Sequence, residues 1–310
     1  MIGTTMLRIP LRWRLAGALH RLPEFRGRDR LTSALIGTSL PPDGIHGGSF
    51  GPALRYEVRY RDDGSYVDLF FLQYQEPALA PVLRATLRPG GTFFDVGANI
   101  GIYAAWGARL VSDTGTVHAF EPVPATRQAL ERLVAFNGLT NVRVIPCAIG
   151  SREGALTLHV APGASGLTTT HRPEQWTEGV SLTVAVTTLD AHVRTSGRSP
   201  DLVLVDVEGY EFEVLRGSRE VLSSDRPPVV LFESHSGHLA RCGTNLGSIV
   251  GWLEEEVGYE VFGLTPAGLV RTRSDTSIPP SGNCLALRAG AHQDVRRRLE
   301  RYKFRRNQSC

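Results

Sequence analysis

The sequence predicts an α/β protein built on a doubly wound, mostly parallel sheet. Short apolar runs recur along the chain, and four of them close in an acid. Phe93-Phe94 leads to Asp95, Thr116–Phe120 to Glu121, Leu202–Val205 to Asp206 and Val229–Phe232 to Glu233. Runs without alternation are what strands buried on both faces require. The first run also feeds a glycine-punctuated turn, Gly97-Ala98-Asn99-Ile100-Gly101, and then an alanine-rich segment. That is the grammar of strand, tight loop and helix.

The elements follow in order. Residues 7–30 interleave apolar side chains with Arg8, Arg12, Arg14, Arg21, Arg26, Arg28 and Arg30. No apolar stretch approaches the ~18–20 residues of a membrane-spanning helix, and no signal sequence is evident. Membrane-surface contact by this basic segment is the less favoured reading, because Pro10, Pro23 and Gly27 interrupt any amphipathic face. Residues 50–75 alternate around Asp62-Asp63-Gly64, which predicts a hairpin. The division expected is an N-terminal basic helical and hairpin extension over residues 1–75, packing on a core of residues 76–310.

Within the core, a helix is expected over 76–87 and strands over 93–96, 116–120, 142–146 and 155–160. Residues 161–181 read as a polar loop over the site, and 184–189 as a short strand. Strand 201–205 precedes a helix over 210–216 that stops at Gly217, and strand 228–232 follows. Helix 246–257 and strands 259–263 and 284–288 complete the sheet. Arg296 to Arg306 reads as a solvated helix.

Composition excludes more than it selects. The hydrophobic fraction of 42% is ordinary for a globular chain, and a net charge of +3 is too small to argue for nucleic acid. The cysteines Cys147, Cys242, Cys284 and Cys310 form no C-x-x-C pair. They fit reduced thiols and a cytoplasmic location better than disulfides or zinc.

Strand-end polar groups of a parallel sheet converge on one crevice. A dinucleotide fingerprint counted from Gly97 would need glycines where Asn99 and Ile102 stand, and Asn99 would crowd a diphosphate. Asp95 repels phosphate but suits a ligand bearing an ammonium and a sulfonium, as S-adenosylmethionine (SAM) does. Glu121 lies about 20 residues past the glycine loop, where an acid holds ribose hydroxyls. Pro122 and Pro124 end the strand and pre-set the next helix.

The chain resembles the FkbM-type SAM-dependent methyltransferases. The stretches that carry the resemblance are DVGANIGIYAA (95–105), AFEPVPAT (119–126), the helix with Asn137, AIGSREGALTLHV (148–160) and DVEGYEFEVLRG (206–217). It covers roughly residues 65 to 235. It implies a class I, Rossmann-like methyltransferase fold, SAM as donor, and O-methylation of a hydroxyl on a sugar, polyketide or other natural product. The donor-site residues are then Asp95, Gly97, Asn99, Gly101, Glu121, Pro122, Ala148 and Asp206. One departure stands out: Leu204 occupies the position where the family usually has a lysine.

An aliphatic hydroxyl is a weak nucleophile, so a base should help. His235, just past the strand ending at Glu233, is the first candidate, with Asp206 and Glu208 next and His238 and His171 behind. No metal site is assigned. Asp206, Glu208 and Glu233 offer hard oxygen donors for Mg²⁺, but their spacing resembles no dedicated cage. The expected partner is a small-molecule or glycan acceptor. Two other classes were weighed: an NAD-linked oxidoreductase, disfavoured by Asn99 and Ile102, and a non-catalytic binding protein on the same scaffold, which the retained acids argue against.

Overall fold

The structure, a computed structural model, describes residues 10–21, 27–36, 45–51, 53–59, 79–161, 164–171, 179–265, 268–274, 282–300 and 302. The chain forms two compact units, one of residues 1–75 with 161–166 and one of residues 76–160 with 167–310.

In the first unit, helices Leu11–Arg21 and Arg28–Ile36 precede an antiparallel hairpin of strands Ile45–Phe50 and Leu54–Arg59. Its register runs from Ile45 opposite Arg59 to Phe50 opposite Leu54. The hairpin expected around Asp62-Asp63-Gly64 lies outside the described residues.

The second unit is organised by an eight-stranded sheet. Its strands are β1 (Thr92–Val96), β2 (Thr116–Phe120), β3 (Val142–Ile145), β4 (Leu202–Val205), β5 (Val229–Glu233), β6 (Tyr259–Thr265), β7 (Gly268–Thr272) and β8 (Asn283–Arg288). The spatial order is β3-β2-β1-β4-β5-β8-β6-β7. Strands β1 to β5 run parallel, while β8 is antiparallel to both β5 and β6, and β7 to β6. The order turns back between β1 and β4, so the topological switch point lies at their carboxyl ends, where open α/β sheets bind ligands.

Both faces of this sheet are covered. On one face Phe94, Val96, Val205 and Phe232 pack with Leu239, Ile249, Val250 and Leu253. The helices supplying these partners are α4 (Ser236–Arg241) and α5 (Leu246–Val257); α3 (Glu211–Arg216) adds Val214 and Leu215. On the other face Phe93 lies against Gly107 of α1 (Ile102–Val111), where a Cβ would overlap the Phe93 ring. The helix α2 (Pro124–Phe136) follows β2 and begins on Pro124, which needs no partner for an N–H it lacks.

Several expectations are corrected. Residues 164–169 of the supposed 161–181 loop are strand, and residues 172–178 lie outside the description. The strand expected over 184–189 is Val180–Thr187, which pairs antiparallel with Gly154–Ala161. Leu189 instead opens a helix to Ser196, because the Thr188 hydroxyl accepts the Ala191 N–H and caps it. The arginine-rich helix is Gln293–Leu299, and it is not simply solvated. It buries Val295 and Leu299, and Arg296 pairs with Glu260 and Glu300.

One buried polar pair sits in the core. His118 of β2 is 1% exposed and stacks on Phe94 at 4.8 Å and 11°. Its Nδ1 lies 2.7 Å from Nε2 of His192, so one ring donates and the other accepts. Burial, reinforced by the neighbouring His192, pushes His118 down to about 4, and burial likewise lowers His192. The unfolded chain takes up protons on these rings near the ordinary value of about 6.5, before the folded one does. Stability is therefore full above that pH and is lost progressively as pH falls from about 6.5 toward 4. Urea unfolding across this range is expected to show that loss, and His118→Phe should flatten it. A pH-independent midpoint in the parent chain would contradict the neutral pair.

Candidate active site at the carboxyl edge of the sheet

The switch point is lined by the loops after β1, β2, β4 and β5. The β1 loop is tied to its neighbours through the main chain. Gly97 N–H and Ala98 N–H both donate to the Phe120 carbonyl, and Asp206 N–H donates to the Val96 carbonyl. Gly97 has φ +84°, and a Cβ there would overlap the Asp206 carbonyl oxygen. Gly101 has φ +91°, and a Cβ there would sit 2.9 Å from Leu130 Cγ. Their missing side chains therefore make room for protein, β4 and α2, and not directly for a ligand.

Glu121 follows β2 and is 5% exposed. Its Oε2 accepts the Asn99 N–H at 2.9 Å and its Oε1 the Val123 N–H at 2.8 Å. The two bonds hold Asn99 in the left-handed region, at φ +49°. Asn99 thus spends its amide on Glu121, which leaves it unavailable to a diphosphate. Each Glu121 oxygen keeps a second lone pair. Burial pushes the carboxyl up to about 7, against the pull of the Val123 and Asn99 amides and the Arg127 charge.

Asp95 is also buried and is pushed up to about 7 by desolvation. The Ala104 N–H opposes that rise and the charge of Glu121 adds to it. Its Oδ2 has no hydrogen-bond partner among the described residues. Pro122 sits at the start of the β2 loop, where its carbonyl accepts a hydrogen bond from Arg127. Ala148 lies in a two-residue strand, Ala148–Ile149, beside Val186–Thr187 in a second sheet.

The β4 loop is shaped by a residue that sequence reasoning passed over. Glu211, 1% exposed, accepts the N–H groups of Val207 and Gly209 on one oxygen. It acts as a cap inside the loop and lets Glu208 take φ +55°. Gly209, at φ +112°, lies against the His238 carbonyl, where a Cβ would clash. An acid in the first turn of the following helix was the available signal.

Glu208 and Glu233 meet at His238 of α4. The imidazole Nδ1 is 2.7 Å from Glu208 Oε2 and 3.3 Å from Glu233 Oε2. Burial pulls His238 down, but the bonds and charges of the two carboxylates override it and raise it to about 9. Burial raises Glu208, and the bond to His238 opposes that rise. His235 precedes α4 and packs on the His238 ring at 4.1 Å between centroids. Burial and the charge of His238 lower its pKa, which favours a neutral imidazole, and its Nδ1 is buried without a partner among the described residues. His171 lies on the strand-to-loop segment after Thr169 and bonds Thr170. It has no contact with this cluster among those described.

The profile described as Methyltransferase FkbM domain matches residues 95–261, more than half of the chain. A hexuronic acid methyltransferase of Haloferax volcanii is 35% identical over 146 residues, 46% of this chain and 56% of that protein. The 31-O-demethyl-FK506 methyltransferase of Streptomyces tacrolimicus is 42% identical over 79 residues, 26% of this chain and 30% of that protein. A Beauveria bassiana protein named Methyltransferase 1 is 29% identical over 185 residues, 54% of this chain and 69% of that protein. The chain thus spans about half or less of the length of the first two relatives.

Among the loop glycines at this edge, Gly97 leaves the least room for a Cβ, against the Asp206 carbonyl. Gly97→Ala combines a left-handed backbone with a clash against main chain. A loss of roughly 2–5 kcal/mol in urea unfolding is expected. A loss within measurement error would mean that the β1 and β4 loops are not held together as described.

Proposed function

We propose that this chain, which belongs to the FkbM methyltransferase family, carries the methyl group of SAM to a hydroxyl oxygen of a sugar, polyketide or other small natural product. The observation that supports it best is Glu121, a buried carboxylate pinned at the end of β2 with two lone pairs still free. That is the device that holds the two hydroxyls of a ribose. Asp95 and the β1 loop lie beside it, in reach of the remainder of a bound nucleoside amino acid. The names of two relatives, one for a hexuronic acid and one for a 31-O-demethyl compound, support an oxygen-rich small acceptor.

The reaction is an in-line displacement. The acceptor oxygen attacks the methyl carbon, the carbon–sulfur bond breaks, and its electron pair stays on sulfur as S-adenosylhomocysteine forms. The cofactor supplies the leaving group, so the protein's task is to align oxygen, carbon and sulfur and to take the proton. His235 suits the last task. It lies past β5, its pKa is lowered, and a neutral imidazole can accept a proton. Asp206 and Glu208 stand next in line, although Glu208 is already engaged with His238. Among the described residues no helix is long and apolar enough to cross a membrane.

Two outcomes test this reading. Removing the Glu121 carboxylate should cost about 1.5–3 kcal/mol of SAM binding, so Glu121→Ala weakens SAM roughly ten-fold or more in calorimetry. The ionised form binds the ribose, so a proton on Glu121 competes with SAM. Affinity should hold above about 7 and fall as pH drops below it, and Glu121→Gln should remove that slope. Any slope that survives belongs to Asp95. Wild-type SAM affinity in folded Glu121→Ala would sink the assignment. For the base, His235→Ala should lower kcat by about 10²-fold with SAM affinity unchanged. Near-normal turnover would move the role to Asp206.

A further inference from the structure

We propose that Glu208, Glu233 and His238 form a binding site for one divalent transition-metal ion at the carboxyl ends of β4 and β5. The three donors come from separate pieces of the fold: the β4 loop, the last residue of β5 and the first turn of α4. Their donor atoms lie within 4.8 Å of one another. An ion with bonds of about 2.0–2.2 Å holds adjacent donors roughly 3 Å apart, and the 2.7 and 3.3 Å separations at His238 Nδ1 bracket that spacing.

The hydrogen bonding points the same way. His238 Nδ1 bears at most one hydrogen, yet it lies within bonding range of two carboxylates. One proton serves one of them well. A cation bound to all three serves both carboxylates and uses the imidazole lone pair as a ligand. The cluster is also rigid before any ion arrives. Glu211 fixes the loop that carries Glu208, and Gly209 fits against the His238 carbonyl. Beside it, the buried Nδ1 of His235 has no partner among the described residues, and a water on the ion would supply one.

The donor set selects the ion. Imidazole with carboxylates suits Mn²⁺, Fe²⁺, Co²⁺ or Zn²⁺, whereas Mg²⁺ and Ca²⁺ prefer oxygen alone. Three protein ligands leave positions open, as at catalytic rather than structural sites. An acceptor hydroxyl bound there becomes more acidic. Its oxygen then forms the new bond to the methyl carbon as the carbon–sulfur bond breaks, and its proton leaves to a base; no oxidant or reductant is involved. That role rests on the methyl-transfer reading above, while ion binding itself does not.

The full chain, stripped with a chelator, is titrated with Co²⁺ by absorbance and with Mn²⁺, Zn²⁺ and Mg²⁺ by calorimetry. One transition ion per chain is expected, with Mg²⁺ at least about ten-fold weaker. Glu233→Gln and His238→Gln should each weaken Co²⁺ roughly ten-fold or more and change its visible spectrum. The double variant Glu208→Gln/Glu233→Gln should bind no ion there while keeping SAM affinity, which shows that the fold survives. Less than half an equivalent bound by the parent chain, or parent-like binding by the double variant, would overturn the site. An ion bound in place whose removal leaves methyl transfer unchanged would overturn its role with the acceptor and leave the methyltransferase reading intact. Ion binding without transfer to any hydroxyl acceptor would do the reverse.

Discussion

Buried carboxylates that each hold two main-chain amides organise this active edge. Glu121 takes the N–H groups of Asn99 and Val123, and Glu211 takes those of Val207 and Gly209. A buried charge is costly unless it is hydrogen-bonded, so each acid dictates one loop conformation over its alternatives. Asn99 and Glu208, both in the left-handed region, lie in the loops that these two acids hold. The loops after β1 and β4 are the two that flank the switch point, and so the shape of the crevice follows from these four hydrogen bonds.

The two pinned loops divide the labour. On the β1–β2 side lie two buried acids, Asp95 and Glu121, both pushed up to about 7 by burial. On the β4–β5 side, Glu208, Glu233, His235 and His238 form a compact titratable cluster. The separation matches the needs of a two-substrate transfer, in which donor and acceptor must approach on one line without sharing ligands. Leu204 is 1% exposed and lies directly beside Asp95 in the sheet, so an apolar side chain there is packed as core.

The central sheet was legible in the sequence because strands buried on both faces must be apolar throughout. The runs at 93–96, 116–120, 202–205 and 229–233 are short, mostly apolar and bounded by turn signals, which favours buried strands over helices, although β1 and β2 carry the buried polar groups Asp95 and His118. Helix 246–257 was expected with the bounds it has, and the structure shows Asn245 capping its start and Gly258 ending it. The Ala164–Thr169 strand was missed because its Gly, Ser and Thr carry no apolar alternation. Val180–Thr187 alternates clearly, yet its start was absorbed into the supposed loop. At the site, the acids at strand ends were readable from position alone. The role of Glu211 was not, since a helix-start acid signals a cap and not the loop it caps. His238 was ranked behind His235 because spacing along the chain does not reveal which ring reaches two carboxylates.

Glu121 at the β1–β2 edge is where a nucleoside is expected to rest. A crystal structure of the chain with S-adenosylhomocysteine tests it most directly. Both ribose hydroxyls are predicted within hydrogen-bond distance of the Glu121 carboxylate, with the sulfur directed toward the β4–β5 side. A nucleoside bound elsewhere, such as the outer cleft lined by Phe212, Arg216 and Trp252, with Glu121 untouched, would contradict it.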